Sequence, residues 1–354
     1  MRAIVITRAG GPDVLVMSDV AEPIPGPGQI RVRVHATAVN RADLLQRAGN
    51  YPAPAGAPRD IPGLEYAGVV DAVGSAAQRW KVGERVMGLV GGGAYAEHIV
   101  THEDEAVRVP AALSLEDAAA IPEAFITAHD ALFTRMQLQR DESLLIHAVG
   151  SGVGTAALQL AKSAGAFVVG TQRSAWKLER SRALGLDAAI AVGAGGVTDT
   201  GDFADQVIHE VKRWRAATSA AAGESGATHR SPVKPGVDGI LDLVGGDYLA
   251  GNLRAVRELG RIIVVGLVAG ARAELDMRML LHKRATIVGT VLRARSLAEK
   301  IDAARAFERD VIPLLDAGTV RPIIDVALPL AEAARAHEIV EANRNFGKVV
   351  LTIG

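Results

Sequence analysis

The stretch that decides the fold is Leu144-Leu145-Ile146-His147-Ala148-Val149-Gly150-Ser151-Gly152-Val153-Gly154-Thr155. It predicts a buried strand, a glycine turn and a packed helix, in that order. Glycines suit such a turn because they let backbone approach a pyrophosphate, while the helix N-terminus offers free N–H groups to the anion. The spacing is Ala148-x-x-Ser151-Gly152-x-Gly154 rather than a literal G-x-G-x-x-G, since position 155 is threonine. We predict a dinucleotide site made by Ala148, Ser151, Gly152, Val153 and Gly154.

The chain shows two different patterns of predicted secondary structure, which change near Ile121. Before Ile121 it is β-rich, with short alternating runs such as Arg31–Ala36 between proline- and glycine-rich segments, which favours a small irregular barrel. After Ile121, strands alternate with helix-length segments, which favours βαβ units and a parallel sheet. Beyond Leu297 an amphipathic helix and a closing strand at 348–353 follow. The stretch Trp214–Pro235 is rich in Ala, Ser, Thr and Gly, and is predicted to be a mobile surface excursion.

Length and composition exclude several classes of protein. A chain of 354 residues suggests about two domains, and 49% hydrophobic with 22% charged residues is typical of a globular protein. A net charge of -1 gives no support to nucleic-acid binding or to electrostatic attraction to a membrane. The absence of cysteine excludes disulfides, thiolate nucleophiles and cysteine-ligated metal sites. No targeting segment or membrane span is evident, so a cytoplasmic location is expected.

The second strand of the α/β region predicts which dinucleotide binds. A site for NAD usually has an acidic residue about 20 residues beyond the turn, on the ribose 2′-hydroxyl. Here the strand ends Gly170-Thr171-Gln172-Arg173-Ser174, and the first acid that follows is Glu179. Arg173 stands where a 2′-phosphate needs a cation, with Ser174 and Lys177 close behind. This predicts NADPH; the alternative is that Arg173 and Lys177 are solvated residues at a helix start.

Later strands add candidates at the same edge of the sheet. Gly245 and Tyr248 follow the strand that contains Asp242, and Gly266 and Leu267 follow the next one. Ligands of open α/β sheets bind at the carboxyl ends of the strands, so these four residues are predicted to contact the cofactor. His147 is expected to make hydrogen bonds beneath the turn rather than to act in catalysis. Because no H-E-x-x-H spacing occurs, no metal site is expected.

Several motifs together carry a family resemblance. They are Asn40-Arg41-Ala42-Asp43-Leu44-Leu45-Gln46-Arg47 with Tyr51-Pro52, Gly63-Leu64-Glu65, Gly91-Gly92-Gly93-x-Tyr95-Ala96-Glu97, Ala118 to Ala128 with Pro122-Glu123 at its centre, and Asn343-x-Asn345-x-Gly347-Lys348. With them the chain resembles the zinc-independent medium-chain dehydrogenases/reductases, in the NADPH:quinone oxidoreductase branch with zeta-crystallin and the tumour-suppressor-inducible quinone reductase. The resemblance implies an α/β fold in which a GroES-like β-barrel catalytic domain, residues 1–121 and 305–354, accompanies a Rossmann NADPH-binding domain, residues 122–304.

The resemblance also implies a chemistry. Zinc-dependent relatives have an early cysteine ligand where Asn40–Asp43 stands here. Without a Lewis acid, reduction of an electrophilic acceptor such as a quinone is favoured over alcohol oxidation. Asn40 and Tyr51 would lie in the substrate cleft beside the nicotinamide, and the proton would come from Tyr51, whose pKa near 10 keeps it protonated, or from water.

Three further residues take roles from the resemblance. Thr127 would begin a helix and contact the nicotinamide side of the cofactor, or it would simply cap that helix. Asn345 and Lys348 would reach the cofactor phosphates, or they would form a surface turn.

Alternative functions and an assembly remain open at this point. One alternative is a reductase of enones, that is α,β-unsaturated carbonyls, or of enoyl thioesters. Another, of a different class, is an NADPH-binding structural or regulatory protein. The strand within 285–292 is expected at the sheet edge, where an unpaired apolar strand is a liability in solution, so a homodimer is expected.

Overall fold

The computed structural model describes residues 1–193, 197–198, 201–221 and 235–354. The strands are β1 Arg2–Ile6, β2 Leu15–Asp19, β3 Gln29–Ala38, β4 Glu65–Val73, β5 Arg85–Leu89, β6 His98–His102, β7 Ala106–Arg108, β8 Ser143–Ile146, β9 Phe167–Gln172, β10 Ala188–Ala191, β11 Val197–Thr198, β12 Gly201–Asp202, β13 Val237–Asp242, β14 Val256–Val264, β15 Thr286–Gly289, β16 Ile324–Pro329 and β17 Lys348–Thr352. The helices are α1 Arg41–Arg47, α2 Leu115–Ala118, α3 Thr127–His129, α4 Gly152–Ser163, α5 Ala175–Arg182, α6 Phe203–Ala221, α7 Tyr248–Ala255, α8 Met277–Lys283, α9 Leu297–Asp310, α10 Ile312–Asp316 and α11 Ala333–Glu341.

The chain forms two compact units. Unit 1 comprises residues 1–127 and 291–354, and unit 2 comprises residues 128–290. The two larger sheets confirm the α/β class expected from the sequence. The bounds of the two units differ from the domain bounds expected at 121/122 and 304/305. The second boundary moves because α9 belongs wholly to unit 1. There Arg305 donates to the carbonyl of Ala106 at 2.6 Å.

Unit 1 is built on a mostly antiparallel seven-stranded sheet. Its strand order is β16-β17-β3-β4-β5-β7, and β6 pairs with β3. The alternation of apolar and polar residues in β3 places them on opposite faces of the sheet. Ile30, Val32 and Val34 are buried, and the residues between them are more exposed. Strand β17 pairs with β3 and β16, so the C-terminal segment completes the sheet that the N-terminal segment begins.

Unit 2 is built on a six-stranded parallel sheet in the order β10-β9-β8-β13-β14-β15. All four residues of β8 are buried, as expected for a central parallel strand covered on both faces. The core around it includes Leu145, Val169, Ile240 and Ile262. Strand β15 is the edge strand, as the sequence predicts for the 285–292 region.

Helix α6 corrects one expectation. The stretch Trp214–Pro235 was expected to be a mobile surface excursion, but its first part is helical, because α6 continues to Ala221. Trp214 stacks on Phe167 with ring centroids 4.6 Å apart, and Arg215 pairs with Asp238 at 3.0 Å. A single aromatic and a single arginine thus anchor an Ala-rich segment that shows no apolar period. Residues 222–234 lie outside the described residues.

The helical segment near Thr127 begins earlier than the sequence suggests. It starts at Pro122, with π-helical turns at Pro122–Ile126 and Asp130–Arg135 on either side of α3. Thr127 begins the α-helix α3, as expected, but the π-helical turn Pro122–Ile126 precedes it in the same helical segment, and Thr127 is 7% exposed. Within the described part of the chain, no helix has the length and apolar character needed to cross a membrane.

Candidate active site

The turn after β8 is shaped by backbone constraints. Ala148 adopts a left-handed conformation with φ 49°, and the amide of Ser151 donates to its carbonyl at 2.9 Å. The Ser151 hydroxyl caps α4 by accepting from the amide of Gly154 at 3.1 Å. A Cβ built on Gly154 would lie 2.5 Å from the Ala148 carbonyl oxygen, so only glycine fits where helix and turn meet.

This geometry fits a dinucleotide phosphate. The first amides of a helix have no acceptor within the helix, and here they include those of Gly152 and Val153, which are partly exposed. Helix α4 is twelve residues long and has no acidic residue in its first turn. No carboxylate within the helix therefore offsets the positive end of the helix dipole at its N-terminus. The turn predicted from the sequence is thus formed with its five residues in one continuous bend.

Beneath the turn, His147 anchors a buried hydrogen-bond chain. Its Nδ1 lies 2.7 Å from the Thr171 hydroxyl, and its Nε2 lies 2.7 Å from Oδ1 of Asn252. The Asn252 amide nitrogen donates to Asp242 at 2.9 Å, so Nε2 carries the proton and Nδ1 accepts. Burial lowers the pKa of His147. The expected structural role of His147 is confirmed.

The chain of hydrogen bonds ends at the next loop of the sheet edge. Asp242 accepts from the amides of Val244 and Gly245 at 2.8 and 2.9 Å. Gly245 has φ 70°, and a Cβ there would lie 2.9 Å from the Gly266 carbonyl oxygen. The loops that carry Gly245 and Gly266 therefore lie together, while Leu267 is 56% exposed beside them.

The residues predicted to bind the 2′-phosphate differ in their solvent exposure. Arg173 is exposed just beyond β9, and Ser174 precedes α5. Lys177 is 4% exposed and lies 5.4 Å from the Trp176 ring centroid, so it is a covered rather than a solvated residue. Arg173 is close enough to Tyr248 to lower the pKa of that hydroxyl against the stronger, opposite effect of burial.

Tyr248 is mostly a core residue. It is 5% exposed, and its ring lies edge-on to His147 with centroids 4.8 Å apart and stacks on Phe203 at 5.5 Å. Its ring therefore supports the sheet edge, and only its hydroxyl end is near Arg173.

In unit 1, Asn40 lies at the centre of a polar cluster. Its Nδ2 donates to Oε1 of Glu65 at 2.8 Å, and its Oδ1 accepts from Nζ of Lys348. Its backbone amide donates to Asp43 at 2.8 Å, which fixes the start of α1. The side-chain amide of Asn40 is thereby held in one orientation by two oppositely charged groups.

Lys348 corrects a further expectation. Its ammonium contacts the Val39 carbonyl, Oδ1 of Asn40 and Oε1 of Glu65, the last at 2.7 Å. An ammonium has three donors, so all of them are used in this buried site. The structure therefore places Lys348 in the Asn40 cluster rather than at a surface available to cofactor phosphates. Asn345 donates to the Gly347 carbonyl at 2.7 Å and holds the turn before β17.

Tyr51 is held by an arginine that the sequence analysis missed. The guanidinium of Arg293 lies 4.9 Å from the Tyr51 ring centroid and donates to the Tyr51 carbonyl at 3.3 Å. Arg293 also donates to the Gly91 carbonyl at 2.8 Å and to Oε1 of Gln46. Burial raises the pKa of Tyr51, so the hydroxyl keeps its proton at neutral pH.

Two acids with raised pKa values, the buried Asp43 and the half-buried Glu123, also escaped the sequence analysis as functional candidates. Burial raises the pKa of Asp43 to about 6 and that of Glu123 to about 8. Both residues stand inside the quoted motifs, but a motif does not report burial, and burial is what perturbs them. Among the described residues, no group of three or more histidines and acids is arranged to hold a metal ion.

Comparisons with known proteins agree with both units. Residues 26–111 match the family described as alcohol dehydrogenase GroES-like domain, and residues 152–308 match that described as zinc-binding dehydrogenase. The quinone oxidoreductase of Mus musculus is 30% identical over 100% of this chain and 98% of its own length. That of Pseudomonas aeruginosa is 32% identical over 97% of this chain and 96% of its own. The structure of Escherichia coli quinone oxidoreductase complexed with NADPH is 26% identical with a TM-score of 0.80, and the match covers all of both chains.

Proposed function

Because this chain belongs to the medium-chain dehydrogenase/reductase family, whose members here are NAD(P)H-dependent oxidoreductases, we propose that it reduces quinones with NADPH and without zinc. The observation that carries the proposal is the environment of Asn40. Its amide is fixed by Lys348 and Glu65 at the place where zinc-dependent relatives have a cysteine ligand. A site without that cysteine ligand would not bind zinc as those relatives do, and without a Lewis acid to activate an alcohol it would suit an acceptor that is already electrophilic.

The choice of NADPH rests on unit 2. Arg173 is exposed beyond β9, and no acidic residue stands between it and Glu179. A guanidinium pairs with a phosphate in two-point geometry, whereas it offers no advantage to a ribose hydroxyl. The bend from Ala148 to Gly154 would hold the diphosphate, and Gly245, Gly266 and Leu267 would line the same sheet edge.

The acceptor would be bound by residues of unit 1. When bound, NADPH supplies a hydride from its nicotinamide ring. The Tyr51 hydroxyl, protonated at neutral pH, can donate a hydrogen bond to a quinone oxygen, and Arg293 fixes the ring that carries it. Both ends of the Asn40 amide are engaged in hydrogen bonds, so it would line the site as a fixed polar group and would not act as an acid or a base.

The test is a steady-state panel with ortho-quinones, para-quinones, enones and an enoyl thioester, each with NADPH and with NADH. We expect kcat/KM to be highest for a quinone with NADPH. A higher value for an enone or thioester would favour the alternative reductase. Binding of NADPH with no oxidation by any acceptor would favour the structural or regulatory alternative.

A homodimer is proposed on the edge strand β15. Its partly exposed Ile287 and Val288 lie at the open edge of the unit 2 sheet, where a second copy could continue the strand pairing. Light scattering should give twice the 36.9 kDa mass of the chain. A monomer over the working concentration range would refute this assembly.

A further inference from the structure

Three acidic side chains converge in unit 1, and they differ in how their oxygens are used. Oε1 of Glu65 accepts from Asn40 and Lys348, and Oε2 accepts from the Glu123 amide at 2.8 Å. Asp43 accepts from the amides of Asn40 and Gly63 at 2.8 and 3.0 Å. The carboxyl groups of Glu65 and Asp43 are therefore engaged in holding the backbone and the cluster.

The carboxyl group of Glu123 is different. Among the described residues it has no hydrogen-bond partner, although Glu123 is only partly exposed. It follows Pro122 in a π-helical turn, a local distortion that occurs frequently at functional sites. The backbone amide of Glu123 is held by Glu65, so the backbone that carries the side chain is fixed in place.

The charged groups that act on Glu123, or on which it acts, come from several different segments of unit 1. Electrostatically it acts on Tyr51, in the loop after α1, and on Arg293, after β15. It is itself influenced by Glu65 on β4, Lys348 on β17 and Asp43 on α1. The Glu123 amide is hydrogen-bonded to Glu65, and Glu65 is hydrogen-bonded to Asn40, so Glu123 is attached to the Asn40 cluster, and its charge acts on the proposed acceptor-binding Tyr51.

From this arrangement we propose that Glu123 is the acid that protonates the reduced acceptor. The inference rests on the proposed function, because it assigns the proton donor for that same reaction. In the step, one quinone oxygen gains its hydrogen as the hydride, hence with two electrons, supplied by NADPH, and the O–H bond of the Glu123 carboxyl breaks as a new O–H bond forms on the other quinone oxygen. The products are hydroquinone, NADP⁺ and the Glu123 carboxylate, which regains a proton from water.

The protonation state supports this assignment. Burial, followed by the charge of Glu65, raises the pKa of Glu123 to about 8, against the opposing effects of Lys348 and Arg293. At neutral pH the carboxyl therefore holds its proton, and it loses it above the pKa. An acid whose pKa is near the working pH transfers a proton more readily than a tyrosine whose pKa is raised above 10.

The first test is the pH dependence of kcat. In the wild type, kcat should fall about tenfold per pH unit above pH ~8, because the donor is ionised there. Glu123→Gln should lower kcat about 100-fold at pH 7 and remove this alkaline limb, and Glu123→Asp should restore part of the rate. Tyr51→Phe should keep the limb. The matched control is Glu116→Gln, an exposed acid on α2, which should behave like the wild type.

The second test reads the carboxyl directly in the protein without substrate. Infrared difference spectra between pH 7 and pH 9.5 should show a protonated-carboxyl band that disappears at high pH and is absent from Glu123→Gln. A missing band, or a Glu123→Gln variant that keeps both rate and alkaline limb, would overturn the inference. If no quinone oxidises NADPH but the band is present, the proposed function fails while the protonated state of Glu123 stands.

Discussion

The ammonium nitrogen of Lys348 lies 2.7 Å from a carboxylate oxygen of Glu65, and the side chains are 5% and 0% exposed. This pair joins the last strand of the sheet to β4 and holds Asn40 between its two charges. A buried pair of this kind is strongly interdependent, because either charge alone would be left in a poorly solvated site.

We therefore expect Lys348→Met to lower the free energy of unfolding by roughly 3–5 kcal/mol, since Glu65 would be left uncompensated. Adding Glu65→Gln should recover part of that loss. The matched control is Lys162→Met, whose pair with Asp187 is about 30% exposed on each side and should be worth ~1 kcal/mol or less. Urea denaturation measures the wild type and the three variants, and equal losses for Lys348→Met and Lys162→Met would contradict the interpretation.

Gly154→Ala should weaken NADPH binding more than tenfold. The new Cβ would lie 2.5 Å from the Ala148 carbonyl oxygen and 2.7 Å from that of Val149, so the bend must open. Titration calorimetry measures the change. Gly289→Ala is the control, because its Cβ would meet nothing within 4 Å and its backbone is not left-handed. Unchanged affinity in Gly154→Ala would show that the bend does not carry the diphosphate.

Arg173→Ala should raise the KM for NADPH at least tenfold and leave the KM for NADH nearly constant. The exposed guanidinium is the one proposed to pair with the phosphate that distinguishes the two cofactors. Arg182→Ala removes a comparable exposed charge from the far end of α5 and should change neither KM by more than twofold. A parallel rise for both cofactors would refute the assignment.

His337 should make the protein sensitive to acid. Burial, with a smaller effect of Arg47, lowers its pKa to about 3, so the folded state keeps the imidazole neutral while the unfolded chain binds a proton near pH 6.5. The stability it supports is complete above pH 6.5 and is lost as the pH falls towards 3.

The variant His337→Gln isolates this contribution. Its amide can still face Arg47 and Tyr95, which contact the imidazole at 3.4 and 3.2 Å, but it does not titrate. Between pH 6.5 and pH 4 its free energy of unfolding should fall less than that of the wild type. Asp43, whose raised pKa acts in the opposite direction, is present in both proteins and cancels in the comparison. Parallel pH profiles would contradict the prediction.

Much of the fold and part of the candidate site were predictable from the sequence. The bend at 148–154 and the role of His147 follow from local order, because strand, glycine turn and helix are contiguous. Glu123 and Arg293 did not follow, because their roles depend on burial and on partners far away in the chain, such as Glu65 and Tyr51. The continuation of α6 beyond Trp214 was not predicted, because the residues that follow are rich in Ala, Ser and Thr and show no apolar period.

The discontinuity of unit 1 bears on how the protein is made. A ribosome delivers residues 128–290 in full before it reaches β17, so unit 2 can collapse on the nascent chain while the sheet of unit 1 still lacks the strand between β3 and β16. Until β17 is added, Glu65 lacks the ammonium group of Lys348 as its partner. Closing that sheet joins residues more than 300 positions apart, as between Val350 and Ala38, and we therefore expect it to be a slow stage of folding.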